Sequence, residues 1–349
     1  MLFHNHSRAR RAGAAAALAV SFALVATGCA ATGEEPGEGG EGSGDANLAI
    51  TFVPKNLGNA YFDTSDKGGE TAIKEFGGTY DEQAPAEGTP DGQVSFINTL
   101  TQQGVGGLAV SANDPTAICD ALNEARDAGV KVVTFDSDTD PECRDIFINQ
   151  ATGEGIAKIQ VDLIAEQIGD EGQIAILSAT ANATNQNAWI DLMKADLTAN
   201  HPSIELVEVV YGDDDDQTSF DKTAALLQTY PELKGIISPT TVGISAAARY
   251  LQTSEYKGKV ALTGLGTPNQ MRDYVEDGTV TAFALWNPAD LGYLAAYAAK
   301  ALIEGEITGK AGDKFEAGKL GDYEVGENGT VLLGEPYTFN KENIGDFDF

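Results

Sequence analysis

The chain has 349 residues, of which 53 are Asp or Glu and 22 are Lys or Arg, so its formal net charge is −31. Nucleic acid and anionic lipid headgroups require a basic surface, and this charge therefore excludes both as natural partners. About 300 residues remain after the N-terminal segments described next, which is too many for one typical core and fits two domains.

Residues 1–28 have the pattern of an export signal peptide. Arg8, Arg10 and Arg11 precede an apolar run from Ala12 to Ala26, and small residues then lead to Cys29. The run is shorter than the roughly 20 residues of a membrane-crossing helix, so we predict a targeting segment. The residues before Cys29 resemble a bacterial lipobox, which implies lipidation of Cys29 and anchoring at the outer face of the cell membrane. Ordinary secretion with an unmodified thiol is the alternative.

The segment 29–47, which begins at the lipidated cysteine, is rich in Gly and Glu and nearly free of apolar residues. Such a composition cannot bury enough surface to offset the entropy lost on ordering. We therefore predict a flexible acidic tether that lets a globular protein reorient at a membrane surface.

From residue 48 the chain alternates short apolar runs with helix-length amphipathic stretches. The runs are typical of buried strands and comprise 48–53, 107–110, 131–135, 173–177, 204–210, 235–237, 260–262 and 281–285. The stretches between them are predicted helices and comprise 61–76, 91–103, 114–128, 152–168, 186–199, 217–229, 243–252, 267–277 and 288–303. Repeated strand–helix alternation predicts an α/β fold with two doubly wound, Rossmann-like parallel sheets of about six strands each.

Ligands of open parallel sheets bind where the carboxyl ends of strands lead into helices. At these positions the sequence has mostly uncharged amides and hydroxyls, with one lysine, two carboxylates and aromatic rings. The residues are Lys55, Asn56, Asn59, Tyr61, Ser111, Asn113, Asp136, Asp138, Thr180 to Gln186, Pro239 to Thr241, Gly266, Trp286 and Asn287. Amides and hydroxyls pair with the hydroxyls of a neutral polyol, and rings cover its C–H faces. The set is poorly suited to a phosphate.

Catalytic and metal-binding interpretations find little support. His201 is the one histidine outside the N-terminal segment, so a nucleophile–histidine arrangement or a zinc site lacks partners. The acidic segment that begins at Asp136 starts like a calcium loop but has Pro141 and Phe147 at two decisive positions. The acidic run 213–216 fits solvation and helix capping better than a metal site. No nucleotide fingerprint is present, and we expect neither a cofactor nor a catalytic residue.

Cys119 and Cys143 are the two cysteines that remain once Cys29 is lipidated. An even pair in an exported protein suggests a disulfide, and two buried thiols are the alternative.

From Ala49 to Phe349 the chain resembles the type I periplasmic sugar-binding proteins of ABC importers, in the branch of the rhamnose-binding and autoinducer-2-binding proteins. The matching segments are VPKNLGNAYFD (53–63), VSANDP (110–115), FDSDTDPECR (135–144), LSATANATNQNAW (177–189), SPTTVGISAAA (238–248), TGLGTPNQM (263–271) and ALWNPADLGY (284–293). The resemblance implies a non-enzymatic, monomeric binding protein that closes two hinged domains on a sugar and delivers it to a permease with its ATPase.

The same resemblance implies how the chain divides between the two domains. Residues 48–148 with 282–312 would form the first domain, and 149–281 with 313–349 would form the second. The ligand-binding residues would be Lys55, Asn59, Tyr61, Asp136, Asn185, Gln186, Pro239, Thr241 and Trp286.

Identity of the ligand depends on a few of these positions. Lys55, Asp136, Gln186 and Pro239 match the autoinducer-2 pattern, whereas Asn185 and Thr241 depart from it towards the rhamnose branch. We therefore expect rhamnose or a related 6-deoxy sugar, with autoinducer-2 as the alternative. Two readings of other classes are a ligand-presenting sensor and a sugar-acting enzyme, although the loops offer no convincing acid–base pair for the latter.

Overall fold

The computed structural model describes residues 46–349, so the predicted signal peptide, Cys29 and almost all of the tether lie outside the described residues. The strands are β1 (Ala49–Val53), β2 (Thr79–Glu82), β3 (Gly107–Val110), β4 (Lys131–Phe135), β5 (Ile146–Asn149), β6 (Gly172–Ser178), β7 (Ile204–Tyr211), β8 (Leu233–Ser238), β9 (Ala261–Gly264), β10 (Ala282–Leu285), β11 (Lys314–Glu316), β12 (Asp322–Glu324), β13 (Thr330–Leu332) and β14 (Tyr337–Asn340).

The helices follow most of the strands, as the alternation in the sequence predicts. They are α1 (Ala60–Glu75), α2 (Pro90–Gln103), α3 (Cys119–Asp127), α4 (Gly153–Ile168), α5 (Thr184–Asn200), α6 (Asp216–Thr229), α7 (Thr241–Thr253), α8 (Pro268–Glu276) and α9 (Pro288–Ile303). Between residues 46 and 349, none of them combines the length and apolar character that crossing a membrane requires.

The first sheet is entirely parallel, with the strand order β13-β5-β4-β3-β1-β2. Its central strands are buried along nearly their whole length: from Ile50 to Val53 in β1, throughout β3 and from Val132 to Phe135 in β4. Burial on both faces explains why these strands appear in the sequence as continuous apolar runs without alternation.

The second sheet has the parallel order β7-β6-β8-β9. Next to β9 lies β10, which pairs antiparallel with β14. An isolated parallel bridge between Leu265 and Ala284 links the two groups of strands, and the Thr263 hydroxyl donates to the Ala282 carbonyl. The predicted α/β architecture with parallel sheets is confirmed, but the second sheet has four strands and not about six, because β10 pairs antiparallel with β14 instead of extending it.

Strand pairing shows which sheet two segments of the predicted division join. Residues 282–285, expected in the first domain, form β10, which pairs with β14 beside the second sheet. Within residues 313–349, expected in the second domain, β13 pairs with β5 in the first sheet, and β11 packs against α9. The physical reason is that β5 would otherwise be an open edge, and a three-residue strand from the C-terminal segment satisfies its backbone groups.

Helices α1 and α9 cross in close contact, and glycines permit this. A side chain at Gly68 would collide with the backbone of Ala289, and one at Gly292 would collide with the Ser65 carbonyl. Each helix begins at a strand end, with Asn59 capping α1 and Asn287 capping α9 through their side-chain oxygens. The crossing therefore fixes the segments that follow β1 and β10 relative to each other.

Cys119 and Cys143 are joined by a disulfide that closes a segment of 24 residues. Cys119 begins α3, and Cys143 ends the short 3₁₀ turn Pro141–Cys143. The bond ties α3 to the loop that follows β4.

Candidate functional site

A cavity lies between the carboxyl ends of the two sheets. Its volume is about 370 Å³, counting the space open to solvent at its mouth. The residues around it are Lys55, Asn59, Tyr61, Phe62, Asp136, Asn185, Gln186, Trp189, Asp214, Pro239, Thr240, Thr241, Leu265, Leu285 and Trp286. All nine predicted ligand-binding residues line this cavity, and the residues come from loops of both sheets.

The charged groups of the first sheet's side follow β1 and β4. Lys55 follows β1, and its Nζ lies 3.7 Å from Oδ2 of Asp136, which directly follows β4. The Ser111 hydroxyl donates to the same Asp136 oxygen at 2.8 Å. Asp136 has a φ of 62°, a conformation that is rare for residues other than glycine and that fixes the direction of the carboxylate.

Asn185 connects the two sides of the cavity. It lies in the first turn of α5, which follows the second sheet's β6, and its Oδ1 accepts a 3.1 Å hydrogen bond from Lys55 Nζ. Its Nδ2 donates to the backbone carbonyl of Asp136 at 3.4 Å. A neutral amide can donate and accept in this way, whereas a carboxylate in its place could only accept.

Gln186 is held by its own side-chain oxygen. Its Oε1 accepts hydrogen bonds from the Ser178 hydroxyl at 2.7 Å and from the Ala179 backbone N–H at 2.8 Å. Because the oxygen is bound in this way, the NH₂ group is the part of the side chain that can donate to a ligand.

Aromatic rings form one wall of the cavity. Trp286 Nε1 donates to the Tyr61 hydroxyl at 2.9 Å, and the two rings meet edge to face. Trp189 contacts Trp286 edge to face with 6.1 Å between ring centroids, and Phe62 packs on Tyr61. Burial, together with the nearby Asp136 charge, raises the pKa of Tyr61 well above its usual range, so the phenol stays protonated.

The cavity also has an apolar portion. Leu265 and Leu285 line it together with Phe62 and Pro239, and both leucines are buried. Polar groups that can pair with hydroxyls and a surface that can cover C–H or methyl groups therefore meet in one space. This combination suits a small neutral polyol.

Asp214 and Thr240 also line the cavity; Thr240 was among the residues predicted at the strand ends, whereas Asp214 was not. The acidic run 213–216 was expected to serve solvation and helix capping, and Asp215 does cap α6 by accepting from the Thr218 N–H at 2.7 Å. Asp214, in contrast, turns inward and accepts a hydrogen bond from the Thr240 hydroxyl. Burial raises its pKa. Its position just after β7 is the signal that could have identified it.

Other strand-end residues support the site from behind or act elsewhere. Asn113 Nδ2 donates to the Lys55 carbonyl at 2.9 Å and so holds the β1 loop. Asp138 pairs with Arg144 at 2.6 Å, and Asp140 caps the turn at Pro141. The carboxylates of the rejected calcium loop therefore have other partners.

His201 lies away from the cavity. Its Nδ1 is 2.6 Å from Oδ1 of Asp170. A separate group, formed by His201 with Asp162 and Asp196, has side-chain atoms close enough together to hold a metal ion. None of these residues lines the cavity, so His201 has no part in the candidate site.

Comparison with known proteins agrees with this geometry. Residues 50–307 match the family model described as periplasmic binding protein domain. A sugar ABC transporter structure from Actinomyces odontolyticus is 52% identical, with 88% of this chain and 100% of that chain covered and a TM-score of 0.71.

Two further solved structures carry ligands. An ABC transporter solute-binding protein from Clostridium phytofermentas with bound L-rhamnose is 39% identical, covers 86% of this chain and 98% of its own, and has a TM-score of 0.83. LsrB from Clostridium saccharobutylicum in complex with AI-2 is 28% identical, covers 86% and 99%, and has a TM-score of 0.81. This chain belongs to the family of periplasmic, type I sugar-binding proteins of ABC transporters, whose members bind substrates for transport and are not enzymes.

Proposed function

We propose that this protein captures L-rhamnose or a related 6-deoxy sugar outside the cytoplasm and delivers it to an ABC permease with its ATPase. The observation that carries the proposal is the joint lining of the cavity by hydroxyl-pairing groups from both sheets and by an apolar and aromatic wall. A 6-deoxy sugar has the matching chemistry, because it combines several hydroxyls with one methyl group.

Two residues favour rhamnose over autoinducer-2 as the ligand. Asn185 and Thr241 follow the rhamnose-type pattern. Because Asn185 carries a neutral amide, its NH₂ group can donate to the Asp136 carbonyl, which an aspartate at this position could not do. The L-rhamnose-bound relative also has the higher identity of the two ligand-bound structures. Autoinducer-2 remains the second candidate, because Lys55, Asp136, Gln186 and Pro239 match its pattern and the LsrB structure shares the fold.

We further propose that the two sheets and their helices form two domains that close on the ligand about a hinge. Support comes from the crossings of the chain between the sheets: after β5, after β10 and between β13 and β14. A ligand that contacts both sides of the cavity binds the closed state better and therefore shifts the population towards it. The closed form would be the form that the permease recognises. We also propose that the protein is a monomer.

The experiment that tests the ligand is isothermal titration calorimetry of residues 46–349 with L-rhamnose, L-fucose, D-ribose, D-allose, D-arabinose and autoinducer-2. We expect the tightest binding for L-rhamnose, with a matching rise in melting temperature because the ligand binds only the folded state. Tight binding of autoinducer-2 with no response to rhamnose would overturn the choice of ligand. Absence of binding to the whole panel would contradict the proposed function.

A further inference from the structure

Asp214 and Lys55 both lie at the boundary between two neighbouring cavities in the cleft. Beside the main cavity lies a smaller chamber lined by Asn56, Gly88, Asn113, Ala179, Thr180 and Ala183, and Lys55 and Asp214 line both spaces. Lys55 follows β1 of the first sheet, whereas Asp214 follows β7 of the second. Two opposite charges, one from each side of the cleft, therefore line the place where the main cavity ends.

The backbone holds Asp214 in this place at a conformational cost. Asp213 and Asp214 have φ angles of 56° and 49°, so two successive residues other than glycine are left-handed. Backbone hydrogen bonds from Gly212 to Ser178 at 2.9 Å and from Asp213 to Ala179 at 3.0 Å fasten the loop to the end of β6. Aspartate tolerates the left-handed region better than most residues, and such strain concentrates at ligand sites.

The carboxylate of Asp214 keeps capacity for a ligand. The Thr240 hydroxyl donates one hydrogen bond to Oδ1, whereas a carboxylate has about four acceptor positions. Thr240 also lines the cavity and precedes α7, so the hydrogen bond aims Asp214 at the space between the sheets. A solvating or capping residue would have no need for this hydroxyl partner, and Asp215 already caps α6.

We infer that Asp214 is a specificity-determining ligand contact, whose carboxylate accepts a hydrogen bond from one sugar hydroxyl on the side of the cleft opposite Asp136. This inference rests on the proposed function. The charged groups among the described lining residues are Lys55, Asp136 and Asp214, so two carboxylates face one ammonium. The site therefore selects neutral sugars with hydroxyls on two opposite edges and disfavours sugars that carry a carboxylate or phosphate.

The test is Asp214→Asn with Asp213→Asn as the matched control, because Asp213 is exposed and shares the left-handed conformation. Calorimetry uses L-rhamnose and its 2-, 3- and 4-deoxy derivatives, or the same derivatives of whichever neutral sugar the wild type binds best. We expect Asp214→Asn to weaken binding roughly ten- to a hundred-fold, the usual value of a hydrogen bond to a charged group, and Asp213→Asn to leave it unchanged.

The deoxy series separates direct contact from a structural role. Removal of the sugar hydroxyl that donates to Asp214 should weaken binding to the wild type by a similar factor. The same removal should hardly change the affinity of Asp214→Asn, because this variant already lacks the carboxylate that accepts the hydrogen bond. Equal losses in the two proteins on every derivative would overturn the inference, as would unchanged affinity of Asp214→Asn. Asp214→Ser serves as a second variant if the first fails to fold. If the wild type binds no neutral sugar, both the proposed function and this inference are wrong. If the wild type binds a sugar and Asp214→Asn binds it with the same affinity, only this inference is wrong.

Discussion

Trp286 donates a 2.9 Å hydrogen bond from its indole Nε1 to the hydroxyl of Tyr61, 225 positions earlier in the sequence. Tyr61 lies in the first turn of α1, and Trp286 directly follows β10. Both side chains are buried, with 5% and 2% of their surface exposed. The hydrogen bond therefore links the start of α1, in the aromatic wall of the cavity, to the end of β10, where the chain crosses between the sheets.

This link predicts coupled effects of Trp286→Phe and Tyr61→Phe on ligand affinity. Each change removes one partner of a buried hydrogen bond, which is worth about 1 kcal/mol, while keeping an aromatic ring in the wall. The double variant should lose less affinity than the two single losses combined, with a coupling of about 0.5–1.5 kcal/mol by calorimetry. Strict additivity would show that the hydrogen bond makes no contribution to binding.

Ligand binding should change the intrinsic fluorescence of the protein. The chain contains two tryptophans, and Trp189 and Trp286 both line the cavity. A sugar that packs on their rings replaces water there and alters their emission. At saturating sugar, we expect the change in emission to be smaller for Trp286→Phe than for the wild type. If a sugar binds but leaves the emission unchanged, the ligand does not contact this wall.

Replacement of Asp136 separates ligand binding from stability. Asp136→Ala should abolish measurable binding, because the loss removes a carboxylate acceptor that Ser111 and Lys55 orient. Asp136→Asn tolerates the left-handed conformation and should fold normally while binding roughly ten- to a hundred-fold more weakly. Circular dichroism melting checks the fold, and unaltered affinity in both variants would remove Asp136 from the site.

Much of the fold could be predicted because helices and central strands carry strong local patterns. The predicted helix 288–303 coincides with α9, where Asn287 and Pro288 supply the cap and first position. Helix α3 is the exception, since it begins at Cys119 and not at residue 114. The Pro115 carbonyl accepts from the Asp140 N–H and the Thr139 hydroxyl, so tertiary contacts take the acceptor that the first helical turn would need.

Short elements and loop conformations could not be predicted in this way. Strand β13 has three residues, too few to show any periodicity, and each of them pairs with a β5 residue 183 positions earlier in the sequence. Asp214 was missed because the acidic run 213–216 was interpreted as solvent-exposed. The backbone of two successive left-handed residues turns the Asp214 carboxylate inward, and this conformation is not visible in the sequence. The rule that ligands bind at the carboxyl ends of strands found the remaining polar lining because it depends on topology and not on loop geometry.

The predicted anchor at Cys29 can be tested in cells. Wild-type protein should fractionate with membranes, and Cys29→Ser should be released or remain unprocessed, because lipid attachment requires the thiol. Mass spectrometry of the N-terminal peptide should show a lipidated cysteine. An unmodified Cys29 in membrane-free wild-type protein would indicate ordinary secretion.

Removal of the disulfide should lower stability while leaving the ligand-contact residues in place. The paired variant Cys119→Ser with Cys143→Ser opens a closed segment of 24 residues, which costs about 3 kcal/mol in the chain-entropy model. Urea unfolding measures the loss, and reduction of the wild type should produce a similar shift. Equal midpoints for oxidised and reduced wild type would contradict a stabilising role for the bond.

The buried carboxyl group of Asp66 should make the free energy of unfolding depend on pH. It is 1% exposed within α1, where Oδ1 accepts from the Ser65 hydroxyl and Oδ2 has no hydrogen-bond partner among the described residues. The titratable groups that face it are Asp63 on its own helix, Glu82 and Tyr80 on β2, Asp136 after β4, and Tyr61. Burial, followed by the negative charges of Glu82, Asp63 and Asp136, raises the pKa of Asp66 well above its usual range.

The sign of the effect follows from this raised pKa. Stability that depends on protonated Asp66 is complete below the unfolded pKa of about 4 and is lost as the pH rises through the folded pKa. Asp66→Asn keeps the shape but cannot ionise, so its free energy of unfolding should exceed that of wild type increasingly from pH 4 upwards. Urea unfolding between pH 4 and 9 measures the difference, with Asp127→Asn as the control, because Asp127 is exposed and is not among the groups that face Asp66. Parallel pH profiles for wild type and Asp66→Asn would show that the buried carboxyl titrates normally, in which case solvent or a neighbouring donor must reach Oδ2.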